Sequence, residues 1–169
     1  MNSPIKLRPH HLLCTQTYSG KGYSSDFVEN MDIITSRLRL APETIVEIVT
    51  TTDDICAKCP LVIYERATSV DSNSELPVCS NRQKGGQAQF LPDHRITEAG
   101  FCATQEKVQR IDGKVMAHFD VCEKTYAYGH ITREIGEKIN ASIFEDICGE
   151  CEWYSICEYA GSLYHHPKT

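Results

Sequence analysis

Five cysteines fall into two short runs, Cys56-x-x-Cys59 and Cys148-x-x-Cys151-x5-Cys157, whose chemistry is metal–thiolate ligation. Ionised sulfurs two residues apart can close around one zinc ion or one edge of an iron–sulfur cluster. The longer run is the more specific, because three thiolates from one stretch match three corners of a [4Fe–4S] cubane. Gly149 permits a tight turn between its first two sulfurs. The five residues before Cys157 leave room for about one helical turn before the third sulfur returns. The fourth ligand must come from another part of the chain.

Nine cysteines are present in all, and counting suggests two sets. Cys56, Cys59, Cys79 and Cys102 make one four-thiolate set; Cys14, Cys148, Cys151 and Cys157 make the other, with mixed assignments open. Cys122 is left over and is expected to be a small buried side chain. His10 and His11 lie four and three residues before Cys14, so on a helix all three approach one face. They could ligate a metal, hydrogen-bond a sulfur or shuttle a proton. Asp53 and Asp54 could orient ligands, but an N-cap ahead of Cys56 is the favoured role. Gly20-Lys21-Gly22 lacks the phosphate-loop arrangement and reads as a tight turn. Zinc is the chemical rival to the cluster. Against it, neither second cysteine is followed by the glycine common in zinc knuckles, and Cys59 precedes Pro60, as at some iron–sulfur ligands.

These sulfurs need a scaffold, and 169 residues suffice for one α+β, mainly α, domain spanning 1–169. A first helix is expected over 7–14, entered through Pro9. A second starts from the capping pair Asp26 and Glu29, presents Phe27, Met31, Ile34 and Leu38 on one stripe, and ends before Pro42. Thr44–Thr50 reads as a strand that delivers the chain to Asp53. Residues 68–100 lack periodicity and read as a long loop. A third helix begins near Ala103 or Thr104, with Val108, Ile111, Val115 and Phe119 inward. A fourth runs from about Thr132 through Ile135, Ile139 and Ile143, ending before Cys148. Residues 160–169 are expected to be a flexible tail.

A net charge of −6 and a pI near 5.6 count against a nucleic-acid surface. Apolar runs of four residues or fewer fall short of the about 20 that a membrane helix needs. Without a secretory signal pattern, a cytoplasmic location is the expectation, and in that reducing setting clustered cysteines read as ligands.

The pattern C-G-x-C-x5-C-E-Y from Cys148 resembles the end of the iron–sulfur loop in endonuclease III-type DNA glycosylases. Those carry a further cysteine seven residues earlier, where this chain has Ala141, and no glycosylase activity is carried over. More of the chain resembles an uncharacterised prokaryotic family, domain of unknown function 1284. The matching residues are R-P-H-H-L-L-C at 8–14, G-K-G-Y-S at 20–24, D-D-I-C-x-x-C-P at 53–60, Gly100-Phe101-Cys102, Glu106, Val108, Asp112, Val115 and the late C-x-x-C-x5-C. The resemblance implies iron–sulfur binding with no established reaction. It also implies that Cys102 rather than Cys79 is the third cysteine of the first set, and that residues 61–99 are an insertion.

The expected function is therefore a [4Fe–4S] protein in electron transfer or cluster sensing, working with a protein redox partner. The alternatives are a zinc-bound interaction module and, third, a metallohydrolase using His10, His11 and an open zinc position. No reaction is legible in the sequence.

Overall fold

The stripe Phe27, Met31, Ile34 and Leu38 forms the buried face of α2 (Ser25–Leu40) in the computed structural model, which describes residues 3–64 and 100–157. The helix starts two residues earlier than the capping pair implied. Ser24 is the N-cap, its hydroxyl accepting from the Phe27 N–H at 3.2 Å, while Asp26 sits exposed in the first turn. There its charge faces the positive end of the helix dipole.

Ahead of α2, the opening segment divides differently from the single helix expected. Ile5–Leu7 is a strand, β1, and α1 (His11–Thr17) follows a turn through Arg8, Pro9 and His10. β1 runs parallel to β2 (Ile45–Ile48) in the register Ile5↔Val46 and Leu7↔Ile48. A parallel pair needs a crossover, which α1 and α2 provide. All four of these register partners are buried, as the two-residue period of a strand requires. β5 (Thr125–Ala127) pairs antiparallel with the other edge of β2.

A second, two-stranded sheet joins β3 (Val62–Tyr64) to β4 (Gly100–Cys102), with Val62 opposite Cys102. The expected insertion at 61–99 therefore includes the whole of β3; its remainder, 65–99, lies outside the described residues, as does the expected tail at 160–169.

α3 (Gln105–Phe119) buries Asp112, Val115, Met116 and Phe119 and leaves Val108 and Ile111 half-buried. The single helix expected from Thr132 is two helices, α4 (Tyr128–Lys138) and α5 (Ala141–Cys148). Asn140 separates them: its backbone is extended, and its side chain accepts from the Ile143 N–H at 3.1 Å. Ile135, Ile139, Phe144 and Ile147 still meet in one core, so the apolar spacing survives the break. Among the described residues no helix is long and apolar enough to cross a membrane. The fold is α+β and mainly α.

Replacing Asn140 with alanine removes the cap of α5. Chemical denaturation should report a loss of about 1 kcal/mol, with the slope against denaturant unchanged.

Candidate metal centre

The turn between β1 and α1 carries the sequence Arg8-Pro9-His10-His11, and two carboxylates from distant segments hold it. Asp112, on α3, is 2% exposed and Arg8 only 1%. Arg8 Nε donates to Asp112 Oδ2 at 2.8 Å; Nη2 lies 2.7 Å from the same oxygen as an ion-pair contact but makes no hydrogen bond. The other oxygen, Oδ1, accepts from the His10 backbone N–H at 3.1 Å and pairs with His10 Nδ1 at 2.7 Å. Asp53 performs the same service one residue on. Its Oδ2 accepts from the Arg8 N–H at 2.6 Å and pairs with His11 Nδ1 at 2.6 Å. Its Oδ1 accepts from the Cys56 N–H at 2.9 Å, the capping role expected from the sequence.

Burial alone would raise both carboxyl groups. In Asp53 the His11 charge and hydrogen bond, with the Cys56 and Arg8 amides, outweigh burial and hold it well below the usual range. In Asp112, His10 and then the Arg8 guanidinium do the same. His10 itself is pushed down by burial and by the neighbouring His11, against the pull of Asp112. The two imidazoles lie against each other with centroids 4.1 Å apart. Each has Nδ1 committed to a carboxylate, which leaves Nε2 as the nitrogen for any further partner.

A cavity opens on each side of this histidine pair. The larger, about 180 Å³, is lined by Cys14 from α1 and by Cys148, Cys151 and Cys157, with His10 and His11 in its wall. Tyr18, Tyr23, Phe27, Phe144, Trp153 and Tyr154 give it an aromatic lining; Trp153 meets Tyr23 edge-on at 5.1 Å and Tyr154 stacks on Phe144 at 5.6 Å. The smaller cavity, about 90 Å³, is lined by Cys56, Cys59 and Cys102, again with His10 and His11, and with Arg8. The β3–β4 pairing explains how Cys102 arrives there: it sits opposite Val62, whose N–H donates to the Cys59 carbonyl.

The two C-x-x-C turns share one local geometry. In each, the second cysteine's N–H donates to the first one's carbonyl, at 3.0 Å for Cys59 to Cys56 and 2.8 Å for Cys151 to Cys148. In each, the N–H two residues beyond the second cysteine donates to its sulfur: Leu61 to Cys59, and Trp153 to Cys151. Gly149 has an ordinary right-handed conformation, so the turn does not need positive φ; its lack of a Cβ matters because the Glu145 carbonyl oxygen would lie 2.6 Å from one.

The thiols are unfavourable as bare anions. Burial, then the charges of Cys151, Cys148 and Cys157, drive Cys14 far up. Cys148 is pushed up to about 12 by burial and by Cys151 and Cys157, against the pull of Lys114. Cys56 rises for the same first reason, with Asp53 adding to it.

Of the other sequence candidates, Asp54 caps nothing at the metal side; Oδ2 accepts from the Lys6 N–H at 2.8 Å. Cys79 lies outside the described residues. Cys122, expected as a buried unpaired side chain, is half-buried and disulfide-bonded, so it offers no thiolate. Arg8 and Asp112 were not singled out as site residues. The available signal was a carboxylate within the apolar stripe of α3, between Ile111 and Val115.

His11, Asp53 and Cys56 present ligand atoms within 4.8 Å of one another and form a possible metal-binding triad. The sequence matches the family described as "Protein of unknown function (DUF1284)" over residues 22–85 and 87–157. No curated protein and no solved structure matches it.

Asp112→Asn strands the Arg8 charge in the core and should cost about 3–5 kcal/mol near neutral pH. Because the folded carboxyls of Asp53 and Asp112 are depressed, their contribution is full above the unfolded value of about 4 and is lost as pH falls through the lower folded values. Stability measured across the acid range should therefore drop steeply below about pH 4 in the wild type and less steeply in Asp112→Asn.

Proposed function

We propose, for a chain that belongs to the DUF1284 family and so inherits no assigned reaction, that it is an iron–sulfur protein of the [4Fe–4S] type. The ligands are Cys14, Cys148, Cys151 and Cys157. The observation that carries this reading is the convergence of α1 and the C-terminal cysteine run on one cavity, which gives four sulfurs where the local run alone gives three.

The residues fit such a group in three ways. Four thiols with no disulfide among them match its four corners. Their mutual repulsion when ionised calls for a cationic core to sit between them. The aromatic wall excludes water, and the Trp153 N–H at Cys151 and the Thr17 hydroxyl 3.5 Å from the Cys157 sulfur are polar partners of the kind that tune thiolate clusters.

When bound, the cluster supplies one-electron chemistry. The chain's own residues would set its potential. Burial of the sulfurs disfavours added negative charge, and the N–H and O–H donors favour it. Lys107 and Lys114 act in the same direction as those donors, since they lower Cys151 and Cys148 respectively. Four cysteine ligands leave no iron open, which suits electron transfer to a protein partner better than substrate binding. A cytoplasmic setting accords with these free thiols and not with the disulfide at Cys122.

Protein purified without oxygen should show broad absorption at about 400 nm with iron and acid-labile sulfide near four each per chain. Cys14→Ser should lose most of that absorption, and Cys122→Ser should keep it. A colourless protein, or loss with Cys122→Ser and not with Cys14→Ser, overturns the assignment.

A further inference from the structure

We propose a second, mononuclear site for a borderline-soft divalent cation such as zinc, held by the sulfurs of Cys56, Cys59 and Cys102 and by Nε2 of His11. It does not depend on the cluster. All four residues line the smaller cavity, which has half the volume of the other and offers three sulfurs rather than four. One ion, and not a cubane, suits that space and donor count. Three thiolates and one imidazole are a familiar ligand set for structural zinc.

The imidazole is prepared for the role. With Nδ1 held by Asp53 at 2.6 Å, His11 is fixed in orientation and its Nε2 lone pair is left available. A carboxylate behind the far ring nitrogen is the common support for a metal-bound histidine. The same carboxylate anchors the Cys56 N–H, so one side chain positions two of the four ligands; the ligand atoms that lie within 4.8 Å of one another are those of His11, Asp53 and Cys56, and Cys59 and Cys102 join them from the cavity wall. Asp53 itself is the poorer ligand, because both of its oxygens already accept hydrogen bonds. The Leu61 N–H directed at the Cys59 sulfur adds the donor that a metal-bound thiolate accepts.

Arg8 adds to the electrostatics of this cavity. It is 1% exposed, lines this cavity, and its Nη2 is held by an ion-pair contact alone, 2.7 Å from Asp112 Oδ2. Three thiolates and a neutral imidazole around a dication carry a net charge of −1. A buried guanidinium beside that centre, whose charge already acts on Cys56, offsets that negative charge. His10 is the less suitable imidazole, since it is tied to Asp112 rather than to the carboxylate that holds Cys56.

The test is zinc K-edge X-ray absorption on the full chain, prepared with zinc sulfate present, with zinc, iron and sulfide measured on the same samples. The expected wild-type result is one zinc per chain with three sulfurs at about 2.3 Å and one nitrogen at about 2.0–2.1 Å. His11→Cys should keep the zinc and convert the shell to four sulfurs. His11→Ala should weaken zinc, read by competition with a chromophoric chelator, by more than the about 10- to 100-fold that losing an outer-sphere partner costs. Four sulfurs in the wild type, a spectrum unmoved by His11→Cys, or no retained zinc overturns the proposal. Iron and sulfide at twice the content of one cluster would overturn it in favour of a second cluster. Absence of iron and sulfide with the zinc shell intact would sink the cluster reading alone.

Discussion

Three charged side chains and two histidines meet in the turn after β1, and the rest of the site takes its position from them. Burying Arg8 with Asp112 removes two charges from water, a cost that their attraction repays only with good geometry and added hydrogen bonds. Those added bonds are the ones from the His10 backbone and ring. Asp53, reached from the far end of β2, closes the other side through the Arg8 N–H and His11. A helix as short as α1 has little stability of its own. Here its first turn is clamped by two carboxylates, and Tyr128 on α4 donates to Thr15 at 3.0 Å farther along.

The C-terminal cysteine run is fixed by a different device. Lys107, Arg110, Lys114 and His118 recur at helical spacing along α3 and face Asp146, Glu150 and Glu152, which flank and punctuate the cysteine loop. Singly, such exposed pairs contribute little, because solvent and salt screen them. Their arrangement still matters, because it lays the loop along α3 with its sulfurs turned toward α1. In a chain with net charge −6, this basic stripe is set against the segment where further negative charge would gather.

Much of this was readable in the linear sequence, and what was missed has physical reasons. The α2 stripe was legible because sixteen residues hold four apolar positions spaced by 4, 3 and 4. The strands β1, β3, β4 and β5 have three residues each, too few to show alternation, and their pairing is decided by partners far along the chain. The break at Asn140 was hidden because Ile135, Ile139 and Ile143 keep a four-residue spacing across it, while the polar side chain that caps α5 is a single letter. C-x-x-C spacing announced the turns. It could not announce that Cys102 reaches Cys59 through strand pairing, since that depends on β3 and β4 meeting across residues 65–99. Asp112 was visible only as a charge inside an apolar face, and its partner Arg8 lies at the other end of the described chain.

Neither cysteine turn is sufficient by itself. Local geometry supplies two sulfurs at Cys56 and Cys59 and three at Cys148, Cys151 and Cys157, while a closed tetrahedral or cubane shell needs four donors. On the assignments proposed here, α1 contributes a donor to both sides: His11 to the smaller cavity and Cys14, one turn later, to the larger. Donors three apart on a helix are fixed relative to each other by the backbone, so an error in the pitch or depth of α1 would misplace both at once. That is the structural reason for holding such a short helix with two buried carboxylates rather than by apolar packing alone. Apolar contacts tolerate small slips, whereas hydrogen bonds of 2.6–3.1 Å from Asp53 and Asp112 set both position and rotation.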